Sequence, residues 1–182
     1  MRRRILLSAF TVLFSATPMV AQENGPDLPS GFDEPMPLHH DGKGLGPFSR
    51  SITTSSAETQ LYFDQGIQLL YSFDPNLAAR SFREAWKADP DCAMCYLGEA
   101  WAWGPYLNGP MVASDAPLAH TAAQKARELA EGNTNPVEHA LIEAMATRYE
   151  YEHNQGRRRE LDEQWAEKIN ELYVEHPRDL DL

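Results

Sequence analysis

The pattern of hydrophobic and polar positions between residues 62 and 90 predicts two short helices joined by a turn. Small and apolar residues recur at spacings of three and four over residues 62–69 and again over residues 78–85. Such spacing places them on one face of a helix. Pro75 separates the two segments and Pro90 follows the second, and proline cannot continue a helix interior. We therefore expect a helical hairpin here.

Seven positions of this hairpin match a known repeat in order and spacing. They are Tyr62, Gly66, Leu69, Ala78, Phe82, Ala85 and Pro90. In this register the segment resembles the tetratricopeptide repeat, a helical hairpin of about 34 residues. The chain departs from the family pattern at Gln65, where the family usually has Leu, and at Leu69, where it usually has an aromatic residue. The small residues predict close approach of the two helices at Gly66, with Phe82 filling the space beside it.

A second hairpin is predicted directly after the first. When the pattern is moved by one period, residues 92–103 become a helix, and Gly104-Pro105 ends it. A loop over residues 106–114 follows. The partner helix is expected to begin near Pro117 and to end at Gly132.

A third hairpin is predicted from Asn135 onward. Asn135 and Glu138 have the spacing of a capping box, in which each side chain bonds the other residue's backbone. The last helix has an apolar stripe of Leu161, Trp165, Ile169 and Leu172. Residues 179–182 look like the start of another helix, so we expect a repeat domain truncated at its C-terminus.

The predicted fold class is therefore all-α, a tetratricopeptide-type solenoid of about three helical hairpins over residues 55–182. Residues 22–54 are rich in Pro, Gly and acidic residues, which predicts a disordered or extended leader. Solenoids need a polar cap on the last repeat, and none is predicted here. Self-association through the uncapped repeats is therefore one expected interaction.

Residues 1–21 have the features of a secretory signal peptide. Arg2 to Arg4 form a basic start, and residues 5–14 form an apolar segment that is too short to span a bilayer. We expect cleavage after Ala21, no membrane span afterwards, and a location in the periplasm or outside the cell.

Two stretches resemble a narrower group. They are LGPFSRSITTSSAETQLYFDQGIQLLYSFD, residues 45–74, and DPDCAMCYLGEAWAWGPYLNGPM, residues 89–111. Both are similar to the first repeats of exported bacterial tetratricopeptide proteins. Most members of that group have no assigned activity, so the resemblance implies a fold more than a function.

The charge balance argues against a nucleic-acid partner. Removal of residues 1–21 leaves 161 of the 182 residues and 13 of the 16 basic residues, against 27 acidic residues, so the expected net charge is −14. Binding to phosphates requires clustered Lys and Arg, which this composition does not favour.

Cys92 and Cys95 leave several chemical roles open. In an oxidising compartment, two cysteines three residues apart at a helix start are able to form a disulfide. Two thiolates also suit a soft metal ion such as Cu(I), and a helix N-terminus lowers a thiol pKa, as thiol–disulfide catalysis requires. Covalent haem attachment is excluded, because Tyr96 stands where the haem motif has histidine. We predict no resident cofactor or metal.

The first helices of the hairpins are expected to line a concave surface, as in tetratricopeptide solenoids. The residues off the packing face are Gln60, Phe63, Ile67, Leu70, Met94, Leu97 and Trp101. Tyr106 and Asn108 in the following loop are further candidates. Together they form a strip suited to a peptide. The alternative is that the apolar members pack against residues 44–54 or a neighbouring helix.

We therefore expect an exported, non-enzymatic scaffold that binds a protein or peptide partner along its concave face. The alternative function is a periplasmic redox or soft-metal-handling protein that uses Cys92 and Cys95. No phosphate-binding glycine loop, nucleophile turn or metalloprotease motif is present in the sequence, and no acid–base pair can be assigned.

Overall fold

Six α-helices lie within the structure, a computed structural model that describes residues 25–39 and 44–179. They are α1 Ala57–Tyr71, α2 Pro75–Ala88, α3 Ala93–Trp103, α4 Ala116–Ala130, α5 Pro136–Thr147 and α6 Arg158–Glu175. A 3₁₀ turn, Ala113–Asp115, precedes α4. Within these two ranges there is no strand, and the predicted all-α class is confirmed. The predicted signal peptide, residues 1–21, lies outside the described residues.

Side-chain caps and prolines determine where the first two helices begin. Ser56 accepts a hydrogen bond from the backbone N–H of Thr59 at 3.1 Å and caps α1. Asp74 accepts one from Leu77 at 3.1 Å and caps α2. Pro75 fits the first turn of α2 because its missing N–H would have no partner there. The turn predicted at this proline is confirmed.

The start of α5 and the end of α3 also lie where the sequence predicts them. The side chain of Asn135 accepts the N–H of Glu138 at 3.0 Å, and the Glu138 carboxylate accepts the N–H of Asn135 at 3.1 Å. This is the predicted capping box. Gly104 follows the last residue of α3, as its Gly-Pro sequence predicts.

Each helix packs against the next one in the chain, from α1 to α6. In addition, α1 contacts α3, and α3 contacts α5. The odd-numbered helices therefore lie side by side, and their common surface faces away from α2 and α4. No helix in the described part of the chain is long and apolar enough to cross a membrane.

A close contact between three helices is made around Phe82 on α2. Its ring is fully buried and lies against Gly66 of α1 and Gly98 of α3. A Cβ atom at Gly66 would lie 2.6 Å from this ring, and one at Gly98 would lie 2.5 Å from it. Both positions therefore require glycine, as the sequence predicted for Gly66.

A buried carboxylate also joins α2 to α3. Glu99 accepts hydrogen bonds from Arg83 at 2.8 Å and from the indole N–H of Trp86 at 2.7 Å. The guanidinium of Arg83 lies over the Trp86 ring at 4.9 Å. The indole N–H of Trp103, on α3 itself, donates to the same carboxylate at 3.3 Å. All three donors belong to the packed pair of helices, so we assign this cluster to the packing of the fold.

The described part of the leader packs on the helices without forming one itself. Over residues 25–39 it has turns and extended backbone. Phe32 is buried, with its ring centroid 4.9 Å from that of Trp103. The hydroxyl of Tyr62 donates a hydrogen bond to the carbonyl of Met36 at 3.0 Å. This part of the leader therefore contributes to the hydrophobic core.

Candidate binding pocket

An apolar pocket of about 300 Å³ lies on the surface shared by the odd-numbered helices. It is lined by Arg50, Phe63, Ile67, Tyr71, Met94, Leu97, Trp101, Leu141, Met145, Trp165 and Ile169. These residues come from α1, α3, α5 and α6, together with one residue of the segment before α1. Within each helix they recur at spacings of three or four, which places them on one face.

Five of the residues predicted for partner binding are brought together here. They are Phe63, Ile67, Met94, Leu97 and Trp101. Phe63 is 0% exposed and Met94 is 2% exposed, so these side chains form the floor of the pocket and also belong to the core. Trp101 is partly exposed at its edge. The prediction left open whether the strip binds a partner or packs in the fold, and its buried members do pack.

The structure places Gln60 and Leu70 elsewhere on α1. The side chain of Gln60 accepts the N–H of Ile52 at 3.1 Å and donates to the carbonyl of Arg50 at 2.9 Å. Leu70 is partly buried against the core. Neither residue lines the pocket, so the polar surface at Gln60 is used by the chain's own preceding segment.

That segment, residues 48–53, is extended and lies along the side of α1. Polar side chains spaced by four residues bind its main chain. Asp64 accepts the N–H of Arg50 at 3.0 Å, and Gln68 donates to the carbonyl of Phe48 at 2.7 Å. Together with Gln60, they form a row that recognises an extended backbone.

Arg50 links this extended segment to the region after α6. Its two terminal nitrogens lie 2.7 and 2.9 Å from the two carboxylate oxygens of Asp179. The Arg50 side chain is 15% exposed and the Asp179 side chain is 24% exposed. A two-bond pair between guanidinium and carboxylate fixes distance and orientation together. This ion pair therefore fixes the position of Arg50, the one charged residue in the lining, at the edge of the pocket.

Tyr106 and Asn108 do not reach the pocket. Both are exposed, in a tight turn in which the backbone groups of Tyr106 and Gly109 bond each other at 3.1 and 3.0 Å. The Tyr106 ring covers Gly109, where a Cβ would lie 2.5 Å from it. The tyrosine therefore stabilises its own turn.

The sequence prediction missed six lining residues. They are Arg50, Tyr71, Leu141, Met145, Trp165 and Ile169. The apolar stripe predicted for the last helix includes Trp165 and Ile169, but spacing alone assigns it no role in binding. One signal was available, because Trp165 is bulkier than the residue that the repeat pattern has at its position.

Cys92 and Cys95 are joined by a disulfide, with their Cα atoms 5.4 Å apart. Cys92 is 1% exposed and Cys95 is 0% exposed. Met94, between them in sequence, points into the pocket. Among the residues with described positions, no group of three or more His, Cys, Asp or Glu side chains is placed to hold a metal ion. Burial of both sulfur atoms hinders the approach of a redox partner or a metal.

Comparisons of the chain with family models, with curated proteins and with solved structures gave no match.

Proposed function

We propose that the chain is an exported, tetratricopeptide-type scaffold whose concave face binds a protein or peptide partner. The concave face is the surface formed by α1, α3, α5 and the facing side of α6. The observation that carries the proposal is the pocket on this face. Ten of its eleven lining residues have uncharged side chains, and they come from four different helices. The chain is acidic overall, yet this concave surface is apolar. A concave apolar surface is typical of a site that binds an apolar group.

The packing of the helices supports the repeat architecture. Successive helices contact each other in chain order, and the first helices of successive hairpins also make contact. Gly66 and Phe82, two of the seven residues that match the repeat pattern, meet where α1 and α2 approach closely. In such repeats a row of first helices forms the inner, binding surface.

The size of the pocket indicates what part of a partner enters it. At about 300 Å³ it is at the lower end of ligand sites, which range over roughly 300–1,000 Å³. Burial of one large aliphatic or aromatic side chain contributes about 1.5–3 kcal/mol. Micromolar affinity requires about 8 kcal/mol, so a partner must also contact the surrounding face. We therefore propose one anchoring apolar side chain within a longer peptide.

The surface beside the pocket already binds an extended backbone. Gln60, Asp64 and Gln68 bond the main chain of residues 48–53 in the structure. Arg50, in the middle of this segment, also lines the pocket. This intramolecular contact supports the proposal that the neighbouring pocket receives a side chain from a segment of similar, extended form.

The test is a peptide library displayed on phage and selected against the wild-type protein. The affinity of each selected peptide is then measured by calorimetry for Ile169→Asp and Val174→Asp. Both residues are on α6, but Ile169 lines the pocket whereas Val174 is 70% exposed and lies outside it. We expect Ile169→Asp to weaken binding by at least tenfold, about 1.4 kcal/mol, because it places a charge in the apolar site.

Equal affinities for the two variants would show that the peptide binds outside the pocket. A selection that yields no peptide would contradict the proposed function. Export is tested separately, by the intact mass of the protein recovered from the periplasm or medium. Loss of residues 1–21 is the expected result.

A further inference from the structure

The pocket lies between α6 and the hydrophobic core. Helix α6 packs on α5, and its residues Trp165 and Ile169 line the pocket opposite residues of α1 and α3. The two buried apolar residues of α6 are Leu161 and Leu172. Among the described residues, neither belongs to the hydrophobic core that joins α1 to α5. The position of α6 relative to α1 and α3 therefore depends on contacts outside that core.

The start of α6 is attached to the end of α5. Arg148, which directly follows α5, donates a hydrogen bond to Asp162 at 3.3 Å. Its guanidinium also lies over the Trp165 ring, 4.1 Å from the ring centroid. Arg148 is buried, so these contacts are shielded from water. They fix the first turns of α6 to α5.

The far end of α6 is tied to the segment before α1. The N–H of His176 bonds the carbonyl of Leu172 at 2.9 Å, and Pro177 then prevents the helix from continuing. The N–H of Asp179 donates to the carbonyl of His176 at 2.9 Å, which closes a turn. At this turn the carboxylate of Asp179 bonds both terminal nitrogens of Arg50, at 2.7 and 2.9 Å. The ion pair therefore connects the two sides of the pocket.

Arg50 is itself held by α1. Its N–H donates to Asp64 at 3.0 Å, and its carbonyl accepts from Gln60 at 2.9 Å. The attachment of α6 at Asp162 is separated from the end of the helix, Glu175, by about 20 Å, at 1.5 Å per residue. A small rotation about the attached start therefore produces a large displacement at the far end, unless the ion pair prevents it.

We propose that α6 is a movable wall of the pocket and that the Arg50–Asp179 ion pair is the latch that holds it in place. With the latch formed, the pocket has the lining and the volume described above. When the latch opens, Ile169 moves away from α1 and α3, and the pocket widens. A ligand that contacts both sides stabilises the latched state, and the latch in turn stabilises the bound ligand. This coupling to a ligand rests on the proposed function, whereas the motion of α6 does not.

The latch has a strength that solution conditions are able to change. Its side chains are 15% exposed at Arg50 and 24% exposed at Asp179. A two-bond guanidinium–carboxylate pair has a defined geometry, but ion pairs open to solvent shift an equilibrium by at most about fivefold, and salt weakens them. We therefore expect loss of the pair to shift the balance between latched and open states about fivefold.

The first test measures the position of α6 in the full chain. Spin labels are attached to cysteines introduced at Glu58 of α1 and Val174 of α6, which are both exposed, and the distance between them is measured by electron paramagnetic resonance. In Asp179→Asn, the ratio of longer to shorter distances should rise about fivefold relative to wild type. The control is Glu163→Gln, which removes the same charge from α6 at an ion pair with Arg159 outside the pocket. It should match wild type.

A second measurement needs no substitution in the latch. Raising the salt concentration from about 0.1 M to about 1 M shortens the screening length from about 10 Å to about 3 Å. The labelled wild-type protein should then shift toward the longer distances, and Asp179→Asn should respond less, because it has no ion pair to screen. Identical distance distributions for wild type and Asp179→Asn would overturn the proposal, and so would an equal response of the two proteins to salt.

The coupling to a ligand is measured with the peptides selected against the wild-type protein. Asp179→Asn should weaken their binding by up to about fivefold, mainly through faster dissociation, and Glu163→Gln should leave it unchanged. If peptides bind but neither their affinity nor the label distances respond to Asp179→Asn, the proposed function stands and this inference fails. If the label distances respond but the selection yields no peptide, α6 is movable and the proposed function fails.

Discussion

The first three helices and the last helix are held in place by different kinds of contact. Phe82 of α2 is enclosed between Gly66 and Gly98, with no exposed surface. By contrast, α6 has 18 residues, of which only Leu161 and Leu172 are buried. Its exposed face carries an ion pair within the helix, Arg159–Glu163 at 2.7 Å. Exposed pairs of this kind contribute little to stability.

The difference matters because the pocket lies between these two regions. Its floor, at Phe63 and Met94, belongs to the tightly packed part. Its outer wall, at Trp165 and Ile169, belongs to the weakly held helix. The floor of the pocket is therefore held by dense packing. The wall depends on contacts at the ends of α6, and one of these is the Arg50–Asp179 ion pair.

The largest expected effect comes from Phe82→Ala, which empties the space between the two glycines. Removal of a buried phenylalanine typically costs about 3–5 kcal/mol, because apolar contacts are lost and a cavity remains. Leu172→Ala on α6 should cost about 2 kcal/mol, the lower limit for a buried leucine. Urea unfolding followed by circular dichroism measures both. Equal losses would show that the two regions are equally well packed.

An intermediate effect is expected from the double variant Cys92→Ser and Cys95→Ser, which tests the disulfide within the tightly packed part. In the chain-entropy model, a loop this short contributes about 2 kcal/mol. We expect that loss in unfolding free energy, with peptide affinity unchanged. If the variant instead loses bound copper or a thiol–disulfide exchange activity present in the wild type, the redox or metal-handling alternative gains support.

The smallest expected effect is a change in how the stability of the protein depends on pH. His120 of α4 packs edge-on against Tyr151 at 5.8 Å, and its partial burial lowers its pKa from the ordinary value of 6.5. Between the lowered and ordinary pKa values, the unfolded chain binds more protons than the folded one, so stability falls as pH drops below about 6.5. His120→Gln should reduce this loss slightly, as measured by melting temperature between pH 7.5 and pH 5. An unchanged pH profile would show that His120 does not contribute.

Part of the pocket could be predicted from spacing alone. Phe63, Ile67, Met94, Leu97 and Trp101 were identified because each helix was aligned to one repeat pattern. Trp165 and Ile169 belong to the apolar stripe predicted for the last helix, but the sequence does not identify them as lining residues. Their role depends on how α5 and α6 turn toward α1 and α3, and no local pattern carries that information.

The leader shows the same limit. Its Pro-rich and acidic composition predicts a disordered or extended segment, yet composition contains nothing about the contact between Phe32 and Trp103. Likewise, the sequence predicts Gln60 as a residue for an external partner and assigns no role to Asp64. They acquire a partner only when residues 48–53 lie along α1.

The sequence by itself determined the helices and their ends, because caps, prolines and apolar spacing act over a few residues. Three such local signals are the Asp74-Pro75 start of α2, the Asn135–Glu138 capping box of α5 and the end of α3 at Gly104. The tertiary structure alone decided that four helices share one pocket and that Arg50 meets Asp179 across 129 positions. Such contacts depend on the sum of all helix packings, which no short segment specifies.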